Sequence, residues 1–466
     1  MSPIEYFEGA KTIMAAQILA ICIFVGMFLL IILDKFERYY ITLASGALVL
    51  ALVFGVCMHS MSAIWDTLNL PSIFTSGFWY GASEEGNSGI NWSTIFFIAG
   101  MMIMVEGLGK AGFFRWLCLT LAKLVRYRIV PLLVCFMVLS AVLSMFIDSI
   151  TVVLFLATVT LELAQTMKFN PIPMILSEVF CANLGGAATM CGDPPNIIVG
   201  TSLGYTFFDF ISNTGVAVAI CFVLVLIYFV LCFRKRLLRD EKNSGAAVCP
   251  QPGTAITNRP AFLLSAGVFL LAVILLATHA QTKLTVACIG VIVAALSLVV
   301  IGCTSGGKAA LEIIKGVDYK TLLFFIGLFV SVAGLKETGV LDVIARFITT
   351  VSGGNAAIIV VIILWISAVT SAFVDNIPFA ATMIPVVRSI AAASGIDMGV
   401  LAWALSLGTD LGGNATPIGA SANVVGTSVA AKGGYPISWG VYCKYCVGAT
   451  VLVIAVSMGY LFLRYL

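Results

Sequence analysis

Long apolar runs dominate the chain, and short polar segments separate them. A helix needs about 20 apolar residues to cross the hydrocarbon of a bilayer, and runs of this length suit only helices. The first run is too long for a removable signal peptide, so we treat it as a true span. The pattern predicts eight membrane-spanning helices, at 12–33, 39–58, 92–109, 206–233, 261–280, 284–302, 319–335 and 440–463.

Two further regions are apolar but interrupted. Each begins with two apolar arms around an Asp and continues into an apolar stretch with a break rich in Gly, Asn and Pro. An arm of about 19 residues reaches roughly 28 Å, so its length fits either a full span or a re-entrant hairpin. We expect hairpins, because the Asp and its hydroxyl neighbours would then lie at a helix N-terminus inside the membrane. The predicted elements are hairpins at 129–167 and 356–394 and broken helices at 171–204 and 398–431.

The second half of the chain repeats the first at an offset of 227 residues. The offset places Asp148 on Asp375 and Asn196 on Asn423, and it needs no gap between Thr94 and Asn196. Glycines, serines and threonines match at many positions between these points. A match this long does not arise from composition alone, so the two halves are duplicates.

Lys and Arg residues cluster at the ends of the predicted spans and indicate their orientation. The loop from His59 to Asn91 contains no Lys or Arg, so we expect it outside, together with both termini. Segments 110–128 and 336–350 are short and amphipathic, which is typical of helices lying in the membrane interface. The basic groups that we expect inside lie at 35–38, 110–128, 234–242 and 308–320.

With this orientation, span 92–109 runs inward and its copy 319–335 runs outward, so the repeats have inverted topology. The predicted fold is an all-α polytopic membrane protein with two inverted repeats of about five transmembrane helices each. Each repeat contains a re-entrant hairpin and a discontinuous helix, an arrangement common in secondary transporters. The predicted domains are repeat 1 at 1–233, a cytoplasmic linker at 234–260 and repeat 2 at 261–466.

Composition supports a membrane protein and excludes several other classes. Hydrophobic residues make up 61% of the chain and charged residues 10%, whereas a soluble domain has about 25% charged residues. This excludes a soluble enzyme, a disordered protein and a nucleic-acid binder, and a net charge of +3 does not indicate polyanion binding. The thirteen cysteines lie mostly singly in apolar runs, where they behave as small hydrophobic residues.

Polar residues inside the membrane are costly and usually functional, and here they gather first at the two hairpin tips. A carboxylate with hydroxyl groups and main-chain oxygens suits a proton or a small hard cation such as Na⁺. The tips are therefore the predicted sites for the coupling ion, with Asp148 and Asp375 as candidate Na⁺ ligands and no other cofactor expected. The candidate coupling-ion residues are Asp148, Ser149, Thr151, Asp375 and Asn376.

The breaks in the two interrupted helices are the second polar region. Pro removes helical hydrogen bonds, and Gly allows the backbone to approach a ligand closely. Irregular backbone at membrane depth is tolerated where it is buried or lines a cavity, so we expect the breaks to form a substrate cradle. The candidate substrate-binding residues are Gly185, Gly186, Thr189, Gly192, Asp193 and Asn196 in repeat 1, and Gly412, Gly413, Asn414, Thr416, Ser421 and Asn423 in repeat 2.

The acidic residues near these sites outnumber the basic ones. Asp148, Asp193, Asp375 and Asp410 face a single nearby basic residue, Arg388, in the same segments. Four carboxylates cannot all be ionised in a dry core without cations or protons. We therefore expect cations to take part in the working cycle, while an anionic substrate would be held by helix N-termini and polar side chains.

Nucleotide-driven transport and proteolysis fit the sequence poorly. Gly302–Lys308 resembles a P-loop, but Ala309 stands where Mg²⁺ needs a hydroxyl group and no strand precedes it. The driving energy must therefore come from an ion gradient. The segment 190–193 resembles the signature of an intramembrane aspartyl protease without its first Gly, and a protease has no use for a duplicate of each acidic motif.

Three long motifs resemble the arsenite permease and pink-eyed-dilution P-protein group of the ion transporter superfamily. They are Val374–Pro385, Gly192–Ile198 and Leu411–Val424, and the resemblance covers nearly the whole chain. The superfamily includes Na⁺/H⁺ antiporters of the NhaD type and, more distantly, the dicarboxylate–sodium symporters. The resemblance implies a scaffold, a mobile transport domain, ion and substrate sites at the hairpin tips, and a homodimer with an elevator motion.

The tips differ from those of the symporters, which carry Ser-Asn-Thr where this chain has Asp-Ser-Ile-Thr and Asp-Asn-Ile-Pro. The difference favours cation or proton chemistry at the Asp positions. We expect a non-enzymatic secondary transporter of a small anion or metalloid oxyacid, coupled to H⁺ or Na⁺, in the inner or plasma membrane. The alternatives are a Na⁺/H⁺ antiporter and, less favoured, a channel or an intramembrane protease.

Overall fold

The computed structural model describes residues 3–33, 35–81, 89–243 and 250–466, with side chains from residue 14 onward and excluding 242–243. Parts of the predicted loop 59–91 and of the linker 234–260 therefore lie outside the described residues. Helices make up nearly all of the described chain, and an isolated antiparallel bridge joins Tyr80 to Leu284. The helices are α1 Pro3–Leu33, α2 Arg38–Leu48 (continued by a π-helix over Val49–Cys57), α3 Met61–Leu68, α4 Ser76–Trp79, α5 Trp92–Lys110, α6 Phe113–Leu124, α7 Ile129–Ser144, α8 Ser149–Met167, α9 Ile172–Gly186, α10 Pro194–Leu203, α11 Phe207–Phe210, α12 Val216–Asn243, α13 Arg259–Thr282, α14 Val286–Ser305, α15 Gly307–Gly316, α16 Tyr319–Glu337, α17 Val340–Val351, α18 Ala356–Ser371, α19 Asn376–Ser394, α20 Met398–Gly412, α21 Ser421–Lys432 and α22 Trp439–Tyr465.

Ten helical segments of the described chain are long and apolar enough to cross a membrane. Eight of them correspond to the predicted spans. The other two are α8 and α19, the second arms of the hairpins, which are long and apolar enough for a span. The helix α12 continues through the basic cluster that the sequence assigned to the linker, because a Lys- and Arg-rich segment with no Gly or Pro sustains a helix.

Side-chain contacts show which helix ends lie together at each end of the bundle. At one end, which we call the basic end, Lys110 pairs with Glu312 at 3.2 Å and Lys320 pairs with Glu37 at 2.7 Å. At the opposite end, the Asn91 side-chain amide donates to Thr201 Oγ1 at 3.0 Å. Because α5 runs from the opposite end to the basic end and α16 runs the other way, the predicted inverted repeats are confirmed.

The two hairpins enter the bundle from opposite ends. Hairpin 1, formed by α7 and α8, opens at the basic end, where the Tyr127 hydroxyl donates to the Pro250 carbonyl oxygen at 2.5 Å. Hairpin 2, formed by α18 and α19, opens at the opposite end, where Arg388 donates to the Ser202 carbonyl oxygen. Their tips nevertheless meet at one carboxylate, that of Asp193. Two full spans from opposite ends would place their turns far apart, so both hairpins are re-entrant.

The helices outside the hairpins interlock across the two repeats. The helix α16 of repeat 2 packs on α2 of repeat 1, where a Cβ added at Gly327 would lie 2.3 Å from the Thr42 carbonyl carbon. The helix α5 of repeat 1 packs on α14 of repeat 2, where a Cβ at Gly100 would lie 2.2 Å from the Gly290 carbonyl oxygen. Glycine therefore permits the same close crossing in each pair. We call α1, α2, α5, α13, α14 and α16 the scaffold unit, and α7–α10, α12 and α18–α22 the hairpin unit.

Candidate functional site

Four helices begin at the hairpin tips and at the breaks: α8, α10, α19 and α21. Asp148, Asp193 and Asp375 occupy the N-cap positions of the first three, and Ala420 occupies that of α21. A helix N-terminus carries a partial positive charge and favours a carboxylate beside it. An acidic residue therefore occupies the N-cap position of three of these helices, and the N-cap position of α21 has none.

Asp193 joins the two hairpins. The Ser149 hydroxyl at the tip of hairpin 1 donates to Asp193 Oδ1 at 2.7 Å. The Asn376 side-chain amide at the tip of hairpin 2 donates to Asp193 Oδ2 at 2.7 Å. The Asp193 residue is only 3% exposed, so its charge interacts strongly with its neighbours. These three predicted site residues lie in direct contact.

Asp375 bonds to a cation from the scaffold unit. Arg38 Nη1, at the start of α2, lies 2.6 Å from Asp375 Oδ2, and the Asp375 side chain is 5% exposed. The Ser421 hydroxyl donates to the same oxygen at 2.8 Å. Asp375 Oδ1 accepts a hydrogen bond from the Ile377 backbone N–H at 3.3 Å. The contact therefore links the tip of hairpin 2 to the scaffold unit.

Asp148, the repeat counterpart of Asp375, has a different set of partners. Its two carboxylate oxygens accept hydrogen bonds from the Thr151 backbone N–H at 2.9 Å and the Thr151 hydroxyl at 2.7 Å. The residue is half-buried. The two tips are thus equivalent in sequence position but not in surroundings.

Predicted cradle residues stabilise the breaks themselves. The Thr189 hydroxyl donates to the Met145 carbonyl oxygen, and the Thr416 hydroxyl donates to that of Ala372, so each break is tied to the first arm of its own hairpin. The Asn196 amide donates to the Gly186 and Thr189 carbonyl oxygens, both at 3.1 Å.

The Asn423 amide makes the equivalent pair of hydrogen bonds in repeat 2, to the Gly413 and Thr416 carbonyl oxygens at 2.8 Å. These side chains satisfy carbonyl groups that the broken helices leave unpaired.

The predicted glycines allow close packing of each break. A Cβ at Gly185 would lie 2.1 Å from the Ala141 carbonyl oxygen of α7, and one at Gly412 would lie 2.4 Å from the Ala368 carbonyl oxygen of α18. Gly192 is equally confined, since its Cβ would lie 2.4 Å from the Ser144 carbonyl oxygen. Gly186 and Gly413 are less tightly enclosed, with nearest contacts of 3.2 and 3.0 Å.

A buried polar cluster connects the two broken helices behind the tips. The Asn183 amide donates to Asn414 Oδ1 at 2.9 Å and to Asn423 Oδ1 at 2.8 Å. The Ser406 hydroxyl donates to Asn196 Oδ1. Asp410, the repeat counterpart of Asn183, is fully buried in the same region.

Two residues of this region are not among the candidate site residues, because no local sequence pattern identifies them. Arg38 serves in the sequence only as an orientation marker, and no local pattern reveals a partner 337 positions away. Asn183 lies in the predicted broken helix 171–204, and its alignment with Asp410 at the 227-residue offset is the signal that identifies it. Both become apparent when the repeats are compared in three dimensions.

A cavity of about 940 Å³ lies between the two units at the opposite end. Met190 and Ala381 are among its lining residues, three and five positions along the chain from Asp193 and Asn376 respectively. Basic side chains at its wall include Lys283 and Arg388. The cavity thus approaches the tips from the end that the sequence places outside.

The inverted repeats, paired hairpins and broken helices define the class of protein: a multi-pass membrane transporter. The family model described as citrate transporter matches residues 28–408. The chain belongs to this citrate transporter family.

Relatives of known sequence support the assignment. An uncharacterized transporter of Mycobacterium tuberculosis is 33% identical over 451 residues, covering 96% of this chain and 99% of the relative. A 46 kDa membrane protein of Mycobacterium leprae is 32% identical over 454 residues, covering 97% and 99%. The P protein of Homo sapiens is 27% identical over 453 residues, covering 80% of this chain and 53% of the P protein. The resemblance to the P-protein group is therefore confirmed.

Two solved structures share the fold. The YdaH transporter of Alcanivorax borkumensis, described as having an unusual topology, superposes with a TM-score of 0.54 at 15% identity, covering 79% of this chain and 84% of that chain. MtrF of Neisseria gonorrhoeae, from a class of antimetabolite efflux pumps, gives a TM-score of 0.55 at 12% identity, covering 86% and 85%. At these identities the likeness concerns the fold alone.

Proposed function

We propose that the protein is a secondary active transporter that couples movement of a small anion to H⁺ or Na⁺. The observation that carries this proposal is the meeting of both hairpin tips at Asp193, through Ser149 and Asn376. Binding sites in transporters with inverted repeats lie where discontinuous helices of the two repeats meet. A site shared by both repeats is accessible from either end when the units move.

Charge balance supports coupling to a cation. Asp148 and Asp375 directly precede Ser149 and Asn376, the two residues that donate to Asp193. Arg38 bonds to Asp375 and is the cation that contacts this group in the described chain. Three carboxylates with one guanidinium leave an excess of negative charge in a largely buried site. Protons or Na⁺ ions that compensate this charge would be carried across with the substrate.

The N-terminus of α21 supports an anionic substrate. In repeat 1 the equivalent helix α10 begins beside the Asp193 carboxylate, whereas α21 begins beside Ala420. Helix N-termini bind carboxylates and oxyanions through exposed N–H groups and the helix dipole. We infer that a substrate carboxylate or oxyanion binds at the N-terminus of α21, beside Ala420. It would take the position that the Asp193 carboxylate has at the N-terminus of α10.

We further propose an elevator motion of the hairpin unit against the scaffold unit, in a homodimer in the inner or plasma membrane. The basic end would face the cytoplasm, in agreement with the distribution of Lys and Arg. The N-terminus of α1 and the C-terminus of α22 lie at the opposite end, since Gln17 donates to the Thr338 carbonyl oxygen and Arg464 to that of Ser212. Both termini would then be outside.

Flux measurements in proteoliposomes test the function. Citrate, phosphate, sulfate and arsenite would be supplied in turn, with an imposed Na⁺ gradient, an imposed pH gradient or neither. We expect saturable uptake of at least one anion that requires a gradient, and its loss in Asp193→Asn. Ser149→Ala removes a hydrogen bond to Asp193 and should also lower uptake. Its control is Thr158→Ala, which removes an exposed hydroxyl on the same helix. Flux that proceeds equally without a gradient would instead indicate a channel.

The substrate position has a sharper test. Ala420→Asp adds a tethered carboxylate where we place the anion, and like charges in contact cost several kcal/mol, so uptake should fall about tenfold or more. Ala420→Asn has nearly the same shape without the charge and should retain most of the uptake. Uptake retained in Ala420→Asp would mean that the anion binds elsewhere, and equal loss in both variants would mean that crowding, not charge, is responsible.

A Na⁺/H⁺ antiporter is the second candidate function. It is favoured by the excess of carboxylates at the tips and by the engagement of Arg38 with Asp375, which leaves this cation paired instead of open to an anion. Proton movement driven by a Na⁺ gradient in vesicles free of the tested anions would establish it. In that case, adding the tested anions would not change the rate of proton movement.

A further inference from the structure

Asp410 presents a buried carboxyl group without a hydrogen-bond partner. It lies in the last turn of α20, and its exposed fraction is 0%. Neither Oδ1 nor Oδ2 has a hydrogen-bonding partner among the described residues. A buried polar group normally has at least one partner, and an ionised carboxylate without water or a cation is far more costly than a neutral one.

The other repeat shows what this position requires. Asn183 is the counterpart of Asp410, and its amide N–H groups donate to the side-chain oxygens of Asn414 and Asn423. The 227-residue offset pairs Asp410 with Asn196 in the same way, because Asn196 is the counterpart of Asn423. The Asn196 amide N–H groups are already donated to main-chain carbonyl oxygens. The remaining group of Asn196 is its side-chain oxygen, which accepts from the Ser406 hydroxyl and has a second lone pair that only a protonated carboxyl group could use.

We propose that Asp410 is a proton-binding site, occupied in this conformation. A neutral carboxyl group has one O–H donor and one carbonyl acceptor, so it reproduces the donor that Asn183 provides in repeat 1. The Asn414 side-chain N–H₂, one helical turn further on, also lacks a partner, whereas a hard metal cation requires several oxygen ligands. The site is built for a proton held inside the protein.

The charged surroundings of Asp410 agree with a neutral group. Neither carboxyl oxygen has a basic side chain as a partner among the described residues, and burial without a cation disfavours the charged form. Helices α10 and α18, which pack on α20, contribute no charged side chain. Glu178 on α9 bonds to Thr160, and Arg388 on α19 bonds to the Ser202 carbonyl oxygen. The buried titratable groups of α22 are Tyr442 and Cys446.

Infrared spectroscopy of the purified protein in lipid tests the proton directly. A protonated carboxyl group gives a carbonyl stretching band that an ionised carboxylate lacks. We expect Asp410→Asn to remove one such band at neutral pH, and Asp410→Glu to shift it. Asp209→Asn, in a half-buried capping box at the opposite end, is the control that leaves the band in place. Spectra of the wild type and Asp410→Asn that coincide in this region would overturn the proposal.

The role of this proton in coupling rests on the proposed function. Asp410→Asn mimics the protonated form, so uptake of citrate, phosphate or arsenite driven by a pH gradient should fall about tenfold or more, as for an ordinary coupling free energy. Exchange of internal for external anion needs no net proton movement and should persist. Retained pH-driven uptake in this variant would remove Asp410 from the coupling step. If the wild type carries none of these anions, the proposed function fails, and the infrared result still decides whether Asp410 holds a proton.

Discussion

Asn196 and Asn423 show how a polar side chain at a break can support the backbone. Each directs both N–H groups of its side chain at carbonyl oxygens left free where a helix stops. In the sequence, a polar residue inside a membrane segment suggests ligand binding, because burying it costs free energy and the sequence does not show which groups it bonds to. The hydrogen bonds show in addition that the shape of the cradle depends on these two residues.

Replacing Asn423 with Ala should therefore destabilise the protein. The change leaves the Gly413 and Thr416 carbonyl oxygens unpaired, and each buried unsatisfied group costs about 1–3 kcal/mol. Thermal unfolding in detergent measures the loss. Thr427→Ala is the control, since it removes a half-buried hydroxyl that bonds only to carbonyl oxygens of its own helix, which are already paired within the helix, and it should change stability by less than about 0.5 kcal/mol. Equal effects would show that the Asn423 bonds contribute nothing specific.

Helix-scale features follow from the sequence with few exceptions. The eight predicted spans and the inverted repeats are confirmed, because apolar length and Lys and Arg placement act locally along the chain. The Gly-rich breaks are visible for the same reason. Which hairpin arm packs on which break depends on contacts between distant residues, as between Gly185 and Ala141. The partner of Arg38 depends on the whole bundle, so no local signal could give it.

Close packing of a hairpin arm on a broken helix makes Gly412 sensitive to any side chain. In Gly412→Ala the new Cβ would lie 2.3 Å from the Ala368 Cα, so α18 and α20 must separate. Overpacking of this kind typically costs about 1–3 kcal/mol. Gly267→Ala, in the middle of α13 where an added Cβ meets nothing within 4 Å, should be neutral or slightly stabilising. Thermal unfolding of both variants checks the difference.

The contact between α2 and hairpin 2 predicts a different effect. Arg38→Gln removes the cation from Asp375 and should destabilise this conformation by about 1–2 kcal/mol, between the values for exposed and buried ion pairs. Lys320→Gln is the matched control, because its pair with Glu37 lies within the scaffold unit and both side chains are more than half exposed. Arg38→Lys should recover part of the stability. Identical unfolding temperatures for Arg38→Gln and Lys320→Gln would contradict the prediction.

The whole molecule is asymmetric despite its repeated sequence. The tip of hairpin 2 contacts the start of α2 through Asp375 and Arg38, whereas the Asp148 tip of hairpin 1 bonds to its own Thr151. In the proposed motion, the two inverted repeats would exchange their conformations and so produce the opposite-facing state of the molecule. In that state the Asp148 tip would lie at the start of α14, the counterpart of α2, which Lys283 precedes.

Paired cysteines test this exchange. With a short reagent, the pair Asp148→Cys and Lys283→Cys should give a low cross-linking yield in this conformation. Its yield should rise under conditions in which the yield of the pair Arg38→Cys and Asp375→Cys falls. Both pairs would be placed in a background in which the exposed Cys22, Cys232 and Cys303 are replaced by Ser. Na⁺ and pH are the conditions to vary. Parallel rather than opposite changes of the two yields would exclude the exchange.

The interlocking of α2 with α16 and of α14 with α5 bears on how the chain is made. Each repeat supplies one half of both glycine crossings, so neither repeat completes its scaffold alone. During synthesis, the glycine-containing surfaces of the repeat 1 helices therefore lack their packing partners until repeat 2 has been inserted into the membrane. The two repeats thus behave as subunits of an antiparallel dimer joined by a linker, and a gene divided there would have to yield both fragments in one membrane to give a folded protein.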